Sequence, residues 1–515
     1  MAGIRAMPLA LAVLGGLVLA GAFPPVDVGV LAFLAPVPLL IGIRRVGPAG
    51  AAGLGWVFGT IACTLPTASS LLEASSRYFA HSAAMRLVFA LAMPQIHGAL
   101  YFAVFGWAAQ RLLATTRNRV PPALTVPAAW VACEFARASI GHGGPWLLVA
   151  HSQHAALPVL QVADLAGSYG VSFVVLSAST GLALLLEMAL GSAPPRALGS
   201  VCIGGAVIAG AFLYGHAQLI RWHAVGDGRE QPLRIALVQG RIPLAWRRSA
   251  SRAGAALDRL RELTATLASA RPDLIVWPEN AVGFAVAANE SLFAGIGAQL
   301  GPQGRLLLGA PHAVETSPGH VEFRNSAFLL DPSGRIETRY DKLRLTPFAE
   351  YAPWPIQLLA RRRVAARDVY APGDAWTLFE AREVPFAVLI CFEAIYPPVI
   401  RHFVGAGARV LVNISNDDWF GHHAALAQHL GAALLGAVAY RRPLVRATNT
   451  GITAVVAPTG AIVARAPTGI PATLVVDVAP VRTLSVYARV GDVFAWLCVV
   501  GALVAIGLPD RPRRS

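Results

Sequence analysis

The stretch VPFAVLICFE, residues 384–393, is an almost unbroken apolar run that stops at a thiol and a carboxylate. A short run of this kind reads as a buried strand, and the polar residues at its end mark the hand-over to a loop. Similar runs recur on either side: LRIALVQG (233–240), DLIVWPEN (273–280), RLLLGAPH (305–312) and RVLVNISND (409–417). Residues 249–270, 289–300 and 422–440 carry helical patterns between them. Strands alternating with helices predict a layered α/β domain. FRNSAFLLDPSGRI (323–336) and GITAVVAPTGAIVAR (451–465) read as antiparallel hairpins with glycine turns.

Three strand ends carry a reactive group: Glu279 in VWPEN, Lys342 in YDKLRLTPFAEY and Cys391 in LICFEAIYP. Of the 42 Lys and Arg side chains, Lys342 alone is lysine. A compact ammonium directed at one atom does work that a wide planar guanidinium cannot. A thiol nucleophile needs a base for its proton and a cation or donor for the oxyanion of a tetrahedral intermediate. Taken singly, Cys391 could be a core thiol, Glu279 a helix-initiating carboxylate after Pro278, and Lys342 a surface remnant. Their joint occurrence at strand ends favours chemistry.

The rest of the 515-residue chain is of a different character. It is 55% hydrophobic and 14% charged, with mean hydropathy +0.56, and soluble domains carry about a quarter charged residues. Apolar runs long enough for about 30 Å of hydrocarbon lie near 6–23, 28–43, 49–66, 86–108, 120–136, 170–190, 199–219 and 491–508. These divide the chain into a seven-helix membrane domain (1–220), a globular domain (221–489) and a final transmembrane helix with a tail (490–515). In an eight-span arrangement Arg5, Arg44, Arg45, Arg111, Arg117, Arg119, Arg196, Arg511, Arg513 and Arg514 share one side. The opposite short loops hold mainly Arg77 and Arg137. The positive-inside rule then makes the termini cytoplasmic and delivers 221–489 to the outer face, the periplasm in a bacterium.

The net charge of +14 comes without a basic-aromatic array of the kind that binds nucleic acid, so it points to topology and anionic lipid heads. Of the five cysteines, Cys63, Cys133, Cys202 and Cys498 lie in apolar spans, leaving Cys391 alone in the globular part. No disulfide framework or metal-spaced Cys pair follows. His422, His423 and His429 share a helix with no carboxylate partner, which argues against a metal. Glu134 and Arg137, three apart at a span end, are expected to pair with each other. The stretch 351–367 joins Trp354, Ile356, Leu358 and Leu359 to Arg361, Arg362, Arg363 and Arg367, a mixture suited to a lid lying on a membrane surface.

VWPEN, YDKLRLTPFAEY and LICFEAIYP resemble the three signature segments of the nitrilase superfamily, which implies a Glu-Lys-Cys triad on an αββα sandwich. AWVACEFARASIGHGGPWLLVAHSQ (129–153) resembles the membrane-part signature of the apolipoprotein N-acyltransferase family, and ALVQGRIP, NDDWFG and RPLVRATNTGITAVVAPTG resemble its outer domain. The resemblance covers essentially the whole chain. It implies transfer of an acyl chain from a phospholipid, typically phosphatidylethanolamine, to the α-amine of a diacylated apolipoprotein, by a monomeric enzyme of the bacterial inner membrane needing no cofactor or metal. Carried over by motif, Cys391 is the nucleophile, Glu279 the base and Lys342 the oxyanion partner. Glu350 orients the lysine, and Glu393 is a further carboxylate beside the site. Trp246 and Trp419 match aromatic positions associated with substrate, and Phe392 stands where tyrosine is frequent. Gly436 and Ala439 replace charged residues of the family pattern, and Asp418 a small one. A membrane-tethered amidase, a diverged paralogue with another acceptor and a non-catalytic scaffold are the alternatives.

Overall fold

The computed structural model describes the chain except residues 1, 77–81, 115–119, 142, 194–196, 224–230, 244–245, 247–249, 285, 287–292, 294–295, 297–303, 348, 352–368, 422–423 and 508–515. It forms two compact units, one of residues 1–221, 423–435 and 485–515, the other of 222–422 and 436–484.

The first unit is helical. Each of the eight apolar runs read from the sequence forms helix, but they differ in reach. Among the described residues, Pro48–Ser75, Ala83–Ala114, Ala163–Ala189 and Ala197–Trp222 are long and apolar enough to cross a membrane, whereas Ala6–Gly21, Leu31–Ile43 and Val493–Gly507 are apolar but shorter. The run near 28–43 is broken into Leu31–Leu34 and Pro36–Ile43, since Pro36 suits a helix start but not its interior. Pro122–Ser139 has Glu134 and Arg137 buried near its end. Trp130 sits among Phe58, Phe102 and Phe105 at ring-centroid distances of 6.3, 5.0 and 4.8 Å. A side chain at Gly55 would place its Cβ 2.1 Å from the Phe102 carbonyl, so that helix crossing depends on glycine, as close crossings in lipid commonly do.

Glu134 and Arg137 each take a backbone partner that the sequence reading does not name. The Val149 N–H donates to Glu134 (2.8 Å), and Arg137 donates to the Leu147 carbonyl (3.1 Å). Buried backbone in the 147–149 segment lacks helical partners of its own, and the two side chains satisfy it. Residues 423–435, which the sequence reading gives wholly to the globular domain, group with this unit. Gln428 there donates to the Pro24 and Pro66 carbonyls at 2.9 and 2.8 Å.

The second unit is a sandwich of two six-stranded sheets. The strands are β1 (Leu233–Gln239), β2 (Leu274–Val276), β3 (Arg305–Ser317), β4 (His320–Leu330), β5 (Ile336–Asp341), β6 (Phe379–Ala381), β7 (Val384–Ile390), β8 (Val410–Ser415), β9 (Leu444–Thr448), β10 (Ala454–Val456), β11 (Ile462–Arg465) and β12 (Ala472–Val478). One sheet runs β12-β1-β2-β3-β4-β5 and the other β11-β10-β9-β8-β7-β6. Both have a parallel centre, β1-β2-β3 and β7-β8-β9, flanked by antiparallel strands. Central strands are covered on both faces, so β2 and β8 are buried at every residue, and β8 carries the polar Asn413 and Ser415 into that interior. The helix Ala250–Ala265 packs on β1 and β12, and Pro397–Gly405 packs on β7, giving helix–sheet–sheet–helix layers.

Candidate active site

The three groups singled out in the sequence follow three strands of this sandwich. Lys342 and Cys391 come directly after β5 and β7, and Glu279 three residues after β2. All three are buried. β7 ends at Ile390, short of the predicted run to 393, because Cys391 turns the chain into a 3-10 helix, Cys391–Ile395. Cys391 has φ +54°, a left-handed conformation that costs an ordinary residue about 1–2 kcal/mol. Asn413 of β8 steadies the turn, donating to the Leu389 carbonyl (2.7 Å) and the Cys391 carbonyl (3.1 Å).

Glu279 lies in the turn after β2 against Gly309 of β3. Ala281 N–H donates to the Gly309 carbonyl (2.8 Å), and Gly309 N–H to the Pro278 carbonyl (3.1 Å). A Cβ on Gly309 would stand 2.6 Å from the Glu279 Cα. The Glu279 carboxylate accepts from Asn325 Nδ2 (2.7 Å) at one oxygen and from the Asn416 N–H (2.9 Å) at the other. Lys342 Nζ is 2.7 Å from Glu350, 4.0 Å from Glu279 and 3.2 Å from the Thr346 hydroxyl. Glu350 also accepts from Asn325 Nδ2 (2.6 Å) and the Thr346 N–H (2.7 Å).

Glu393 is fully buried and joins the Cys turn to the Lys loop. One oxygen accepts from the Tyr340 hydroxyl (2.8 Å) and the N–H groups of Leu343 (2.9 Å) and Arg344 (3.0 Å). The other accepts from the Ile390 N–H (2.9 Å). Under the Cys turn, the Ser415 hydroxyl donates to Asp417 (2.7 Å), which pairs with Arg446 at 2.6 Å.

The electrostatics follow from burial and from these partners. Burial pushes the Cys391 thiol well above its usual range, and the neighbouring Glu279 charge pushes it further than the Lys342 ammonium pulls it back. Burial also raises Glu279, against the pull of Lys342. For Lys342 burial alone would lower the pKa, but the neighbouring carboxylates, Glu350 foremost, outweigh it and hold the ammonium protonated. A neutral thiol, a carboxylate made more basic and a fixed cation are the parts of a proton-coupled nucleophilic attack.

Of the predicted flanking aromatics, Trp246 is half-buried with the Arg259 guanidinium 5.0 Å over its ring, and Phe392 packs 5.8 Å from Phe420. The Trp419 side chain, the expected lid apart from Tyr351, and His422 and His423 lie outside the described residues. Gly436 and Ala439 are buried, and a Cβ on Gly436 would stand 2.9 Å from Ile400 Cδ1. Sequence reading missed Asn325, Asn416, Asp417 and Arg446. Asn325 lies in a segment read as a hairpin and Asn416 and Asp417 just past the end of β8, within the run read as a strand, whereas β9, which carries Arg446, was not read as a strand; buried polar residues were the available signal, since each must find a partner.

The apolipoprotein N-acyltransferase N-terminal domain model matches residues 15–181, and the carbon-nitrogen hydrolase model matches residues 234–486. The apolipoprotein N-acyltransferase of Geobacter metallireducens is 33% identical over 519 residues, covering 97% of this chain and 95% of the relative. That of Azotobacter vinelandii is 33% identical over 489 residues, covering 93% and 90%. Among solved structures, an amidase of the nitrilase superfamily from Nesterenkonia AN1 aligns with TM-score 0.38 at 20% identity, over 51% of this chain and 94% of its own. With the relatives matched from end to end through helical unit and sandwich alike, the chain belongs to the apolipoprotein N-acyltransferase family.

Proposed function

We propose that this chain N-acylates apolipoproteins, moving an acyl chain from a membrane phospholipid, foremost phosphatidylethanolamine, to the α-amine of an N-terminal diacylglyceryl-cysteine. The observation that carries the reading is the grouping of Glu279, Lys342 and Cys391 in one buried site within a chain of this family.

In the first half-reaction the Cys391 sulfur attacks the donor ester carbonyl while Glu279 takes the thiol proton. Lys342 holds the oxyanion. The ester C–O bond then breaks, the leaving lysophospholipid oxygen takes the proton from Glu279, and a thioester remains. In the second, the lipoprotein amine attacks the thioester, Glu279 takes its proton, the C–S bond breaks and the thiol is restored. An α-amine has an ordinary pKa of about 7.7–8.0, so a useful fraction is neutral at working pH. The route from ester through thioester to amide ends downhill because the amide is the most stable of the three, so no nucleotide is needed, and the thiol divides one hard step into two. Glu350 orients Lys342, Glu393 ties the nucleophile's turn to the lysine's loop, and Trp246, Phe392 and Trp419 are assigned to substrate by their motifs.

The helical unit holds the chain in the bacterial inner membrane beside both lipid substrates. The reading uses eight spans, with domain limits at 1–220, 221–489 and 490–515, cytoplasmic termini, a periplasmic site and a monomer. The test is to incubate purified protein with labelled phosphatidylethanolamine, seek the acyl adduct on Cys391 by mass spectrometry, and then add a diacylated lipopeptide. An adduct that passes to the peptide amine, and is absent from Cys391→Ala, supports the proposal. An adduct discharged only to water makes the chain a hydrolase, and no adduct in the unaltered protein refutes the thioester.

A further inference from the structure

Three buried carboxylates, Glu279, Glu350 and Glu393, surround one ammonium; Glu393 is held by the Tyr340 hydroxyl and three backbone N–H groups of its own, which leaves Glu279 and Glu350 to share Lys342. Lys342 leans to Glu350 at 2.7 Å and stands 4.0 Å from Glu279, which leaves Glu279 with the weaker share of the cation. Between the carboxylates lies Asn325, 1% exposed. Its amide nitrogen gives one hydrogen to Glu279 at 2.7 Å and the other to Glu350 at 2.6 Å. The second oxygen of each carboxylate is taken by a backbone N–H, from Asn416 and Thr346. The Asn325 carbonyl oxygen is buried without a hydrogen-bond partner. An amide satisfied for stability alone would not leave that atom bare. Turning the amide over would set its oxygen against two carboxylates, so the orientation is fixed by charge.

We propose that Asn325 is a positioning residue whose amide hydrogens favour the charged form of Glu279 and fix its place beside Glu350, so that Glu279 stands ready as a base while Glu350 holds the lysine. The physical cause is the preference of a hydrogen-bond donor for the charged form of its acceptor. Two carboxylates brought close without such a donor share a proton, because the second ionisation is opposed by the first. The lone lysine serves Glu350, and the asparagine supplies what Glu279 then lacks. The raised Glu279 pKa, with Asn325 among the groups lowering it again, agrees with this arrangement.

The inference rests on the reading of Glu279 as the base for Cys391, and its test is built to fail separately from that reading. Purified full-length protein, Asn325→Ala and Asn325→Asp would be followed between pH 5 and 9 by two rates. One is acyl-adduct formation on Cys391 from labelled phosphatidylethanolamine, and the other is alkylation of Cys391 by iodoacetamide. Thermal melting identifies any variant that does not fold. Loss of the donor raises the pKa of Glu279, so the acid limb of both profiles moves to higher pH. Hydrogen bonds to charged groups set the scale of the Asn325→Ala shift at about one to two pH units. Asn325→Asp, nearly the same shape, moves the limb further by adding another carboxylate, and each variant recovers much of its rate at the alkaline end. A uniform loss at all pH values with the limb unmoved would overturn the proposal, as would a limb shifted by Ala but not by Asp. Failure of the unaltered protein to form an adduct would count against the functional reading instead, and the alkylation profiles would still decide the role of Asn325.

Discussion

Gly309→Ala tests whether the sandwich sets the reach of Glu279. An added Cβ would lie 2.6 Å from the Glu279 Cα and 2.8 Å from both the Asn280 nitrogen and the Pro278 oxygen. Comfortable carbon contacts begin at about 3.5 Å, so something must move by about 1 Å. β3 cannot retreat, because it is paired to β2 on one side and β4 on the other. The turn carrying Glu279 therefore yields. Misplacement of about 1 Å at a reacting group costs about 10²-fold in rate, which is about 2.7 kcal/mol in the barrier. Overpacking should cost about 1–3 kcal/mol of stability in addition. The assay is single-turnover adduct formation on Cys391 at saturating phospholipid, with a melting curve beside it. Gly254→Ala, in a helix where an added Cβ meets nothing within 4 Å, is the control and should keep its rate. Adduct formation by Gly309→Ala within about threefold of the unaltered protein would refute the claim that this strand places the carboxylate.

Lys342→Arg should slow adduct formation by about 10²–10³-fold, the scale of losing an oxyanion donor, because a guanidinium cannot occupy the ammonium's place 2.7 Å from Glu350 and 3.2 Å from Thr346; a rate within tenfold, measured by the same mass-spectrometric time course, would show that shape does not matter there. Glu393→Gln turns an amide N–H against a backbone donor and removes the charge from four hydrogen bonds, so the sandwich should lose at least about 2 kcal/mol. Tyr340→Phe removes one of those bonds and should cost about 1 kcal/mol. Denaturant titration of the second unit checks both, and equal stabilities for the two variants would remove Glu393 from its place between the loops.

Much of the second unit was legible because its strands are short apolar runs bounded by polar residues, and because burial on both faces makes that pattern steep. The ends of two of those runs pointed to Glu279 and Cys391, while Lys342, after the more polar β5, stood out as the single lysine. The network around them was harder to read. Asn325 lies inside a hairpin and Arg446 inside a central strand, where a period-two pattern predicts only which face a residue takes. Their partners lie 25 to 46 residues away for Asn325 and 29 to 33 for Arg446, distances over which local pattern carries no information. The same limit explains Glu134 and Arg137. Their spacing on one helix suggested each other, while the 147–149 backbone that they serve could be seen only once folded.

The bonds around Cys391 explain how a strained residue remains the stable choice. Its left-handed backbone would relax if its neighbours allowed it. On one side Glu393 grips the Ile390 N–H and the 343–344 backbone; on the other Asn413 grips two carbonyls of the turn. Asn413 is itself held by Arg446, which also pairs with Asp417. A buried pair such as Arg446–Asp417 adds little net stability compared with apolar side chains of equal volume. What it does contribute is a fixed direction for each donor beneath the sulfur. An apolar replacement could fill the same space, but it would leave the Asn413 amide free to turn, and the Cys391 turn would lose one of its two restraints. The polar core under this site is thus better understood as the means of holding the thiol in place than as a source of folding energy.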